Sequence, residues 1–468
     1  MNIDGLPLFK SSNKNLWPIL ACIVENKNTN TIPFPIALFC GNGKPSNCTD
    51  FLRDFLIEYK ELNENGLTVN QNHYFCKINA LVCDAPARQY LKFIKSHNGY
   101  YGCERCVIKG ESIERRMIFH SIHESPRSTE SFESLVYSDH QLGKSPLIDS
   151  TIDPIKDFPL DYMHLVLLGT VRRLLLFLKE GPKICKLSSR QLSEISEKLD
   201  SYRNNIPSEL ARQPRGLAEI KKWKATEFRQ FLLFTGPVVL KGTIDENYYI
   251  HFLSLSVAMR NLLESNDVLR NRYLAYSHSL LEYFVLKCPS LYGNTFTTYN
   301  VHNLIHLKQD SEYFNSSLDT VSAFPFENYL QTLKKHVKSG NNPISQIVKR
   351  RNEIEVANYH RLRKQTHTSI SSTVKDSWFL LNCTDVAQVF KITKDGDLRC
   401  NVFRHKYLQP LFESPCKSTL VNIFRVRKNV KPYQGLVKKS ELHRKLVSLK
   451  LPNEDIVLVS LLHNVNLV

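Results

Sequence analysis

No apolar run in this 468-residue chain reaches the ~18–20 residues that a membrane-spanning helix needs. The longest candidate, residues 162–178, is broken by Arg172 and Arg173. The first residues include Asp4 and Lys10 and lack the apolar stretch of a secretion signal. Twelve cysteines in so long a chain are too few for a dense disulfide framework, so they read as reduced thiols or metal ligands. Neither GxSxG nor HExxH occurs, no internal repeat is evident, and Cys40-Gly-Asn-Gly-Lys-Pro45 lacks the GxxxxGK[ST] spacing of a phosphate loop and reads as a strand-ending turn. Acidic residues are also in deficit, 45 against 62 Lys plus Arg, for a formal charge of +17. With 42% apolar and 10% aromatic residues the chain is not largely disordered. These absences and excesses predict a soluble intracellular protein of two to four domains whose leading partner class is a polyanion.

Four textures follow one another. Residues 1–120 alternate short strands and helices. Apolar runs at 16–24 and 34–40 flank the Asn/Thr-rich turn 26–31, which is a hairpin signal. Residues 51–62 have helical spacing with Asp50 available as N-cap, 74–82 reads as a buried strand ending at Asp84, and 86–96 reads as a helix. Residues 121–156 read as a long loop. Helical patterns then run over 163–179, 189–202, 225–234, 249–263 and 267–286, with one more helix at 326–338. Strand-like runs return at 386–393, 419–426 and 456–462. The order predicts an α/β sheet domain interrupted by an all-α insertion, with a compact β module after it.

Three carboxylates stand in apolar or aromatic surroundings: Asp4 beside Ile3 and Leu6, Asp84 at the tip of a strand, and Glu327 in Phe324-Pro-Phe-Glu-Asn-Tyr-Leu330. Such groups are costly to bury unless paired or metal-bound. Converging, they could hold Mg²⁺, and two ions about 3.5–4 Å apart suit in-line phosphoryl displacement. Helix capping by Asp84 and a first-turn dipole role for Glu327 explain the same residues locally. Cys103-Glu-Arg-Cys106 is half of a zinc set, and His302 and His306, at i and i+4, could supply the other half. Buried thiols and surface histidines are the plainer alternative. Asp161-Tyr-Met-His164 opens an apolar helix, with Asp161 as cap and His164 as a partly buried histidine. After Glu327, Lys334, Lys335, Lys338, Lys349, Arg350, Arg351, Arg361, Arg363 and Lys364 outnumber Glu353 and Glu355, a balance that suits a nucleic-acid backbone.

Together these segments resemble the transposases of the CACTA (En/Spm) group, within the CACTA–Mirage–Chapaev superfamily, over roughly residues 1–345. The segments are residues 2–12 around Asp4, Cys83-Asp-Ala-Pro-Ala-Arg88, Asp161-Tyr-Met-His164, residues 223–233 (Trp223 to Leu233) and residues 324–334 around Glu327, all in family order. The resemblance implies an RNase H-like, retroviral-integrase-like α/β catalytic domain with Asp4, Asp84 and Glu327 as its DDE triad, holding two Mg²⁺ or Mn²⁺. It also implies a large all-α insertion between the second and third acids. A similar layout in the catalytic subunit of the V(D)J recombinase favours structural zinc at Cys103, Cys106, His302 and His306. Asp161 and His164 are expected near the site.

The expected division is 1–120 as the first part of the RNase H-like core, 121–300 as the all-α insertion, 301–345 as the histidine pair and last catalytic helix, 346–384 as a basic linker, and 385–468 as a β-rich module. The expected function is DNA cleavage and strand transfer by a DDE transposase region acting on nuclear DNA, with self-association into a dimer or larger assembly. The start of the chain three residues before Asp4 predicts a truncated or domesticated copy. Two other functions remain open: a transposase-derived DNA- or chromatin-binding protein without turnover, and a scaffold whose 385–462 segment is an interaction module.

Overall fold

Strand Lys14–Ala21 organises the first of two compact units. Its apolar residues pair antiparallel with Asn2–Ile3 and Leu6–Pro7 on one side and with Phe34–Asn42 on the other. The computed structural model describes residues 1–24, 32–358 and 368–466, so the tip of this hairpin at 26–31 lies outside the described residues. Ile3 pairs with Ile19 and Leu6 with Leu16; continuing that register sets Asp4 opposite Pro18, which has no N–H to give a ladder. The strand therefore breaks at Asp4 and Gly5. Gly5 is required there, because a Cβ would lie 2.8 Å from the Trp17 ring.

Helix Cys48–Glu64 follows, capped by Asn47, whose side chain accepts from the N–H groups of Thr49 and Asp50. Asp50 is thus a first-turn residue rather than the expected cap. Cys48, Leu52, Phe55 and Tyr59 recur every three to four positions and bury one face against Ile3, Trp17, Ile19 and Leu81. Each large side chain so buried contributes about 1.5–3 kcal/mol.

The stretch expected as one strand from 74 to 82 divides. Asn72–Tyr74 closes a small hairpin with Leu67–Val69, and residues 78–83 run extended without a regular ladder. They nevertheless lie beside Asn2–Ile3. The Met1 amino group donates to the Ala80 carbonyl at 2.6 Å, the Val82 N–H to the Met1 carbonyl at 2.8 Å, and the Asn2 amide to the Val82 carbonyl at 2.7 Å. This is the bonding of parallel neighbours. Helix Ala85–Lys92 begins directly after Asp84 and stops at Phe93, which adopts φ 53°.

The first unit is completed by the segment from 297 onward, including helices Phe324–His336 and Pro343–Asn358. The second of these occupies the first part of the region expected as linker.

The second unit comprises 166–296 and 364–468. Its helices include Ser189–Ser201, Glu246–Leu262 and Leu274–Tyr292. Its curled antiparallel sheet has eight strands, ordered Gln409–Pro410, Ile423–Val426, Ile456–Ser460, Leu442–Lys450, Trp378–Leu381, Val386–Ile392, Leu398–Phe403 and Tyr433–Val437. The helical block and the β strands thus share one unit, whereas pattern had set them apart. Buried charges bind them. Arg444 grips Glu264 through two hydrogen bonds of 2.5 and 2.7 Å, and Lys445 reaches Asp376 at 2.6 Å and Glu209 at 2.8 Å. Removing either partner of such a pair leaves an uncompensated buried charge. The chain therefore has a mixed α/β structure, and among the described residues no helix is long and apolar enough to cross a membrane.

Candidate functional site

Asp4 sits in the strand break, its Oδ1 accepting the Gly5 N–H at 2.6 Å. Asp84 is the N-cap of Ala85–Lys92 and uses Oδ1 to accept the Ala87 N–H at 2.8 Å. Glu327 lies in the first turn of Phe324–His336, after Pro325. The local roles foreseen for Asp84 and Glu327 are therefore present, and the three acids also come together. Burial pushes the Asp4 carboxyl up to about 7, and the charges of Asp84 and Glu327 add to the rise. Glu327 is also raised, chiefly by burial, with Asp161 and Asp84 contributing and His164 opposing.

His164 faces this cluster, its Nε2 3.8 Å from Glu327 Oε1. Its Nδ1 is 2.6 Å from Asp161 Oδ2. Burial works against the imidazolium, but Asp161, Asp84 and Glu327 outweigh it and lift His164 to about 9. Asp161 is 1% exposed. It accepts the N–H groups of Met163 at 3.3 Å and His164 at 3.1 Å, and also that of Ala323, the N-cap of the Glu327 helix, at 2.9 Å. Met163–Val171 is wound as a π-helix, a conformation frequent at functional sites.

Cys103, Cys106, His302 and His306 are all buried, and their ligand atoms lie within 4.8 Å of one another. Cys103 Sγ is 3.6 Å from His306 Nε2, Cys106 Sγ is 3.3 Å from His302 Nε2, and the sulfurs are 3.5 Å apart. A tetrahedron with Zn–S of about 2.3 Å and Zn–N of about 2.0 Å has edges of about 3.3–3.8 Å, so the donor set fits zinc. Burial resists a thiolate, yet the hydrogen bond from Cys106, with His302 and His306 nearby, draws Cys103 well below the usual thiol range. The same bond holds the proton on Cys106. The histidines do not share one α-helix as expected: Tyr299–His302 gives way to a 3₁₀ turn, Asn303–His306. Among the described residues only this group is so tightly drawn; the Asp4–Asp84–Glu327 cluster is looser.

The two residues between the cysteines, not singled out from the sequence, connect the centres. Glu104 accepts from Arg88 Nε at 2.9 Å, Lys92 Nζ at 2.8 Å and the Tyr299 hydroxyl at 2.8 Å. Burial disfavours its charge, but Arg88 and Lys92 hold its carboxyl far below the ordinary range. Arg88 and Lys92 belong to the helix that Asp84 caps. Arg105 donates to Asp310 at 2.6 Å, and Asp310 accepts the Leu160 N–H at 2.7 Å, just before Asp161. The cue was a charged pair enclosed by buried cysteines.

Of the basic residues, Lys334 donates to the Pro7 carbonyl. Arg350 and Arg351 pair with Glu353 at 2.7 Å and Glu355 at 2.8 Å. Lys335, Lys338 and Lys349 are exposed. Lys14, which sequence reasoning missed, ties the central strand to the Gly340 carbonyl at 2.6 Å. Arg361, Arg363 and Lys364 lie outside the described residues.

Comparison with known proteins adds one partial match. Residues 338–461 match a domain of unknown function, DUF8592. No curated protein matches the chain. The matched stretch is a minority of the sequence and contains none of the three acids and none of the four Cys/His residues.

Proposed function

We propose that the chain is the catalytic region of a DDE-type DNA transposase of the CACTA group, cleaving and transferring DNA phosphodiesters. The observation that carries this reading is the convergence of Asp4, Asp84 and Glu327, with His164, from distant parts of the chain. Neighbour order supports an RNase H-like core: Phe34–Asn42, Lys14–Ala21, the first strand, then the parallel stretch 78–83. Asp84 caps through Oδ1, which leaves the other oxygen outside the cap. Asp4, Asp84 and Glu327 would hold two Mg²⁺ or Mn²⁺, which polarise a phosphoryl group and favour a metal-activated nucleophile. Water would attack phosphorus in cleavage, and a 3′-hydroxyl in strand transfer, each displacing the 3′-oxygen of the phosphodiester attacked, which leaves as a free 3′-hydroxyl. Asp161 and His164 keep the Glu327 helix in place beside them. The Cys/His set, holding zinc, fixes the Asp84 helix through Glu104. Lys335, Lys338 and Lys349 offer phosphate contacts. Strand transfer joins separate ends, so the working form is a dimer or larger assembly on nuclear DNA.

The test is nicking of supercoiled plasmid with Mg²⁺ or Mn²⁺. Asp84→Ala abolishes nicking and leaves DNA affinity within about twofold; unchanged nicking in that variant sinks the assignment. The looseness of the carboxylate cluster favours a second reading, a DNA- or chromatin-binding protein without turnover. That reading gives salt-sensitive DNA binding and no metal-dependent nicking by the wild-type chain.

A further inference from the structure

The second unit contains a cleft of about 920 Å³, within the size range of ligand sites. Four cations line it, Lys198, Arg203, Lys375 and Lys450, and no described carboxylate does. Their acidic partners stand outside the lining: Glu194 at 2.7 Å, Asp200 at 2.8 Å, Asp376 at 3.9 Å and Glu454 at 3.4 Å, respectively. The Arg203–Asp200 and Lys450–Glu454 pairs are exposed on both sides and therefore weak, and Lys375 is itself exposed at a long 3.9 Å from its partner. A phosphate can take over these three cations at little cost. Lys198 is more firmly held, donating also to the Thr243 hydroxyl at 2.7 Å. The lining also includes the amides of Asn204, Gln213 and Gln388, and Leu451, Pro452 and Ile456 supply apolar surface.

The walls are built in advance by part-buried polar bonds. The Tyr202 hydroxyl donates to the Lys450 carbonyl at 3.2 Å, and the Asn205 amide donates to the Ser448 carbonyl at 2.8 Å. These two bonds pin the turn after helix Ser189–Ser201 to strand Leu442–Lys450. Asp376 accepts from Ser208 Oγ at 2.8 Å and from the fully enclosed Lys445 ammonium at 2.6 Å, which fixes the backbone next to Lys375.

We propose that this cleft binds a single nucleic-acid strand, its phosphates on the four cations and its bases over the amides and apolar surface. An acidic peptide uses the cations and bonds its backbone to the amides, but its carboxylate side chains bring no flat ring face to the apolar surface. Amides that both donate and accept beside apolar surface suit base edges and faces, so a nucleic-acid strand fits the whole lining better. This site goes beyond the proposed catalysis and uses none of its residues.

The experiment is fluorescence anisotropy of a labelled single-stranded DNA 15-mer with the full chain, across a salt series. All proteins carry Lys335→Gln and Lys349→Gln, which removes exposed lysines of the other unit from the signal. Adding Arg203→Glu and Lys450→Glu weakens binding at least tenfold and lowers the slope of log affinity against log salt by about 0.7 per lost phosphate contact. Lys375→Glu alone gives a smaller loss of the same kind. Unchanged affinity and slope in the reversal variants overturn the proposal, as does polyglutamate displacing the DNA at equal charge concentration. The readout is equilibrium binding without divalent metal, whereas the catalytic reading is scored by metal-dependent nicking, so failure here and failure of that reading are separable.

Discussion

Asp161 accepts the backbone N–H of Ala323, 162 positions away, at 2.9 Å, and the same carboxylate holds the His164 ring at 2.6 Å. One buried side chain thereby fixes both the first turn of the helix bearing Glu327 and the imidazole that faces it.

Replacing that carboxylate exposes its role. Asp161→Ala leaves the N–H groups of Ala323, Met163 and His164 without their buried acceptor and costs about 2–4 kcal/mol in urea unfolding. Asp161→Asn keeps an acceptor for Ala323 but loses the charge beside His164. It lowers stability by less than half as much, and it weakens Mn²⁺ binding measured by electron paramagnetic resonance. Equal stability losses in the two variants would falsify the clamp.

Zinc at the Cys/His set makes a stoichiometric prediction. Purified protein carries one zinc per chain by mass spectrometry. Cys103→Ser or His306→Ala removes it and lowers the Tm by on the order of 10 °C, because Glu104 and Arg105 lose their anchor. A metal-free wild type with an unaltered Tm after chelation would show that the four residues are only a buried thiol–imidazole cluster.

The carboxylate cluster predicts an uncommon pH dependence. Asp4 titrates near 7 when folded, against 3.8 as an ordinary aspartate. Between those values the folded chain holds a proton that the unfolded chain releases, so this group's contribution to stability falls as pH rises from about 4 to 7 and then levels off. Without metal, Asp4→Asn is therefore the more stable protein at pH 8, by about 4 kcal/mol at roughly 1.4 kcal/mol per pH unit, with little difference at pH 4. Added Mn²⁺ narrows the gap by stabilising the wild type. Denaturant unfolding at the two pH values checks the sign, and a less stable Asp4→Asn at pH 8 contradicts it.

Residue type and local spacing made several features legible before any fold was known. Carboxylates amid apolar residues at 4, 84 and 327 were conspicuous because burying charge is costly wherever it happens. The CxxC and HxxxH spacings marked two halves of one donor set, and the periodicity of 189–202 and 249–263 placed helices near those observed. Lost periodicity explains the errors. Residues 78–83 bond to Met1, Asn2 and Asp157 rather than to a regular ladder, and the helix Pro343–Asn358 hides beneath its charges.

What the sequence by itself determined is which side chains could carry metal or phosphate chemistry and where short helices and strands begin, since both depend on neighbours a few positions away. Only the tertiary structure decided that Glu104 serves Arg88 and Lys92, that Asp161 holds Ala323, and that Arg444 and Lys445 unite a helical block with a β sheet. Those are buried charges, and a buried charge is stable only beside a partner that folding brings from elsewhere in the chain.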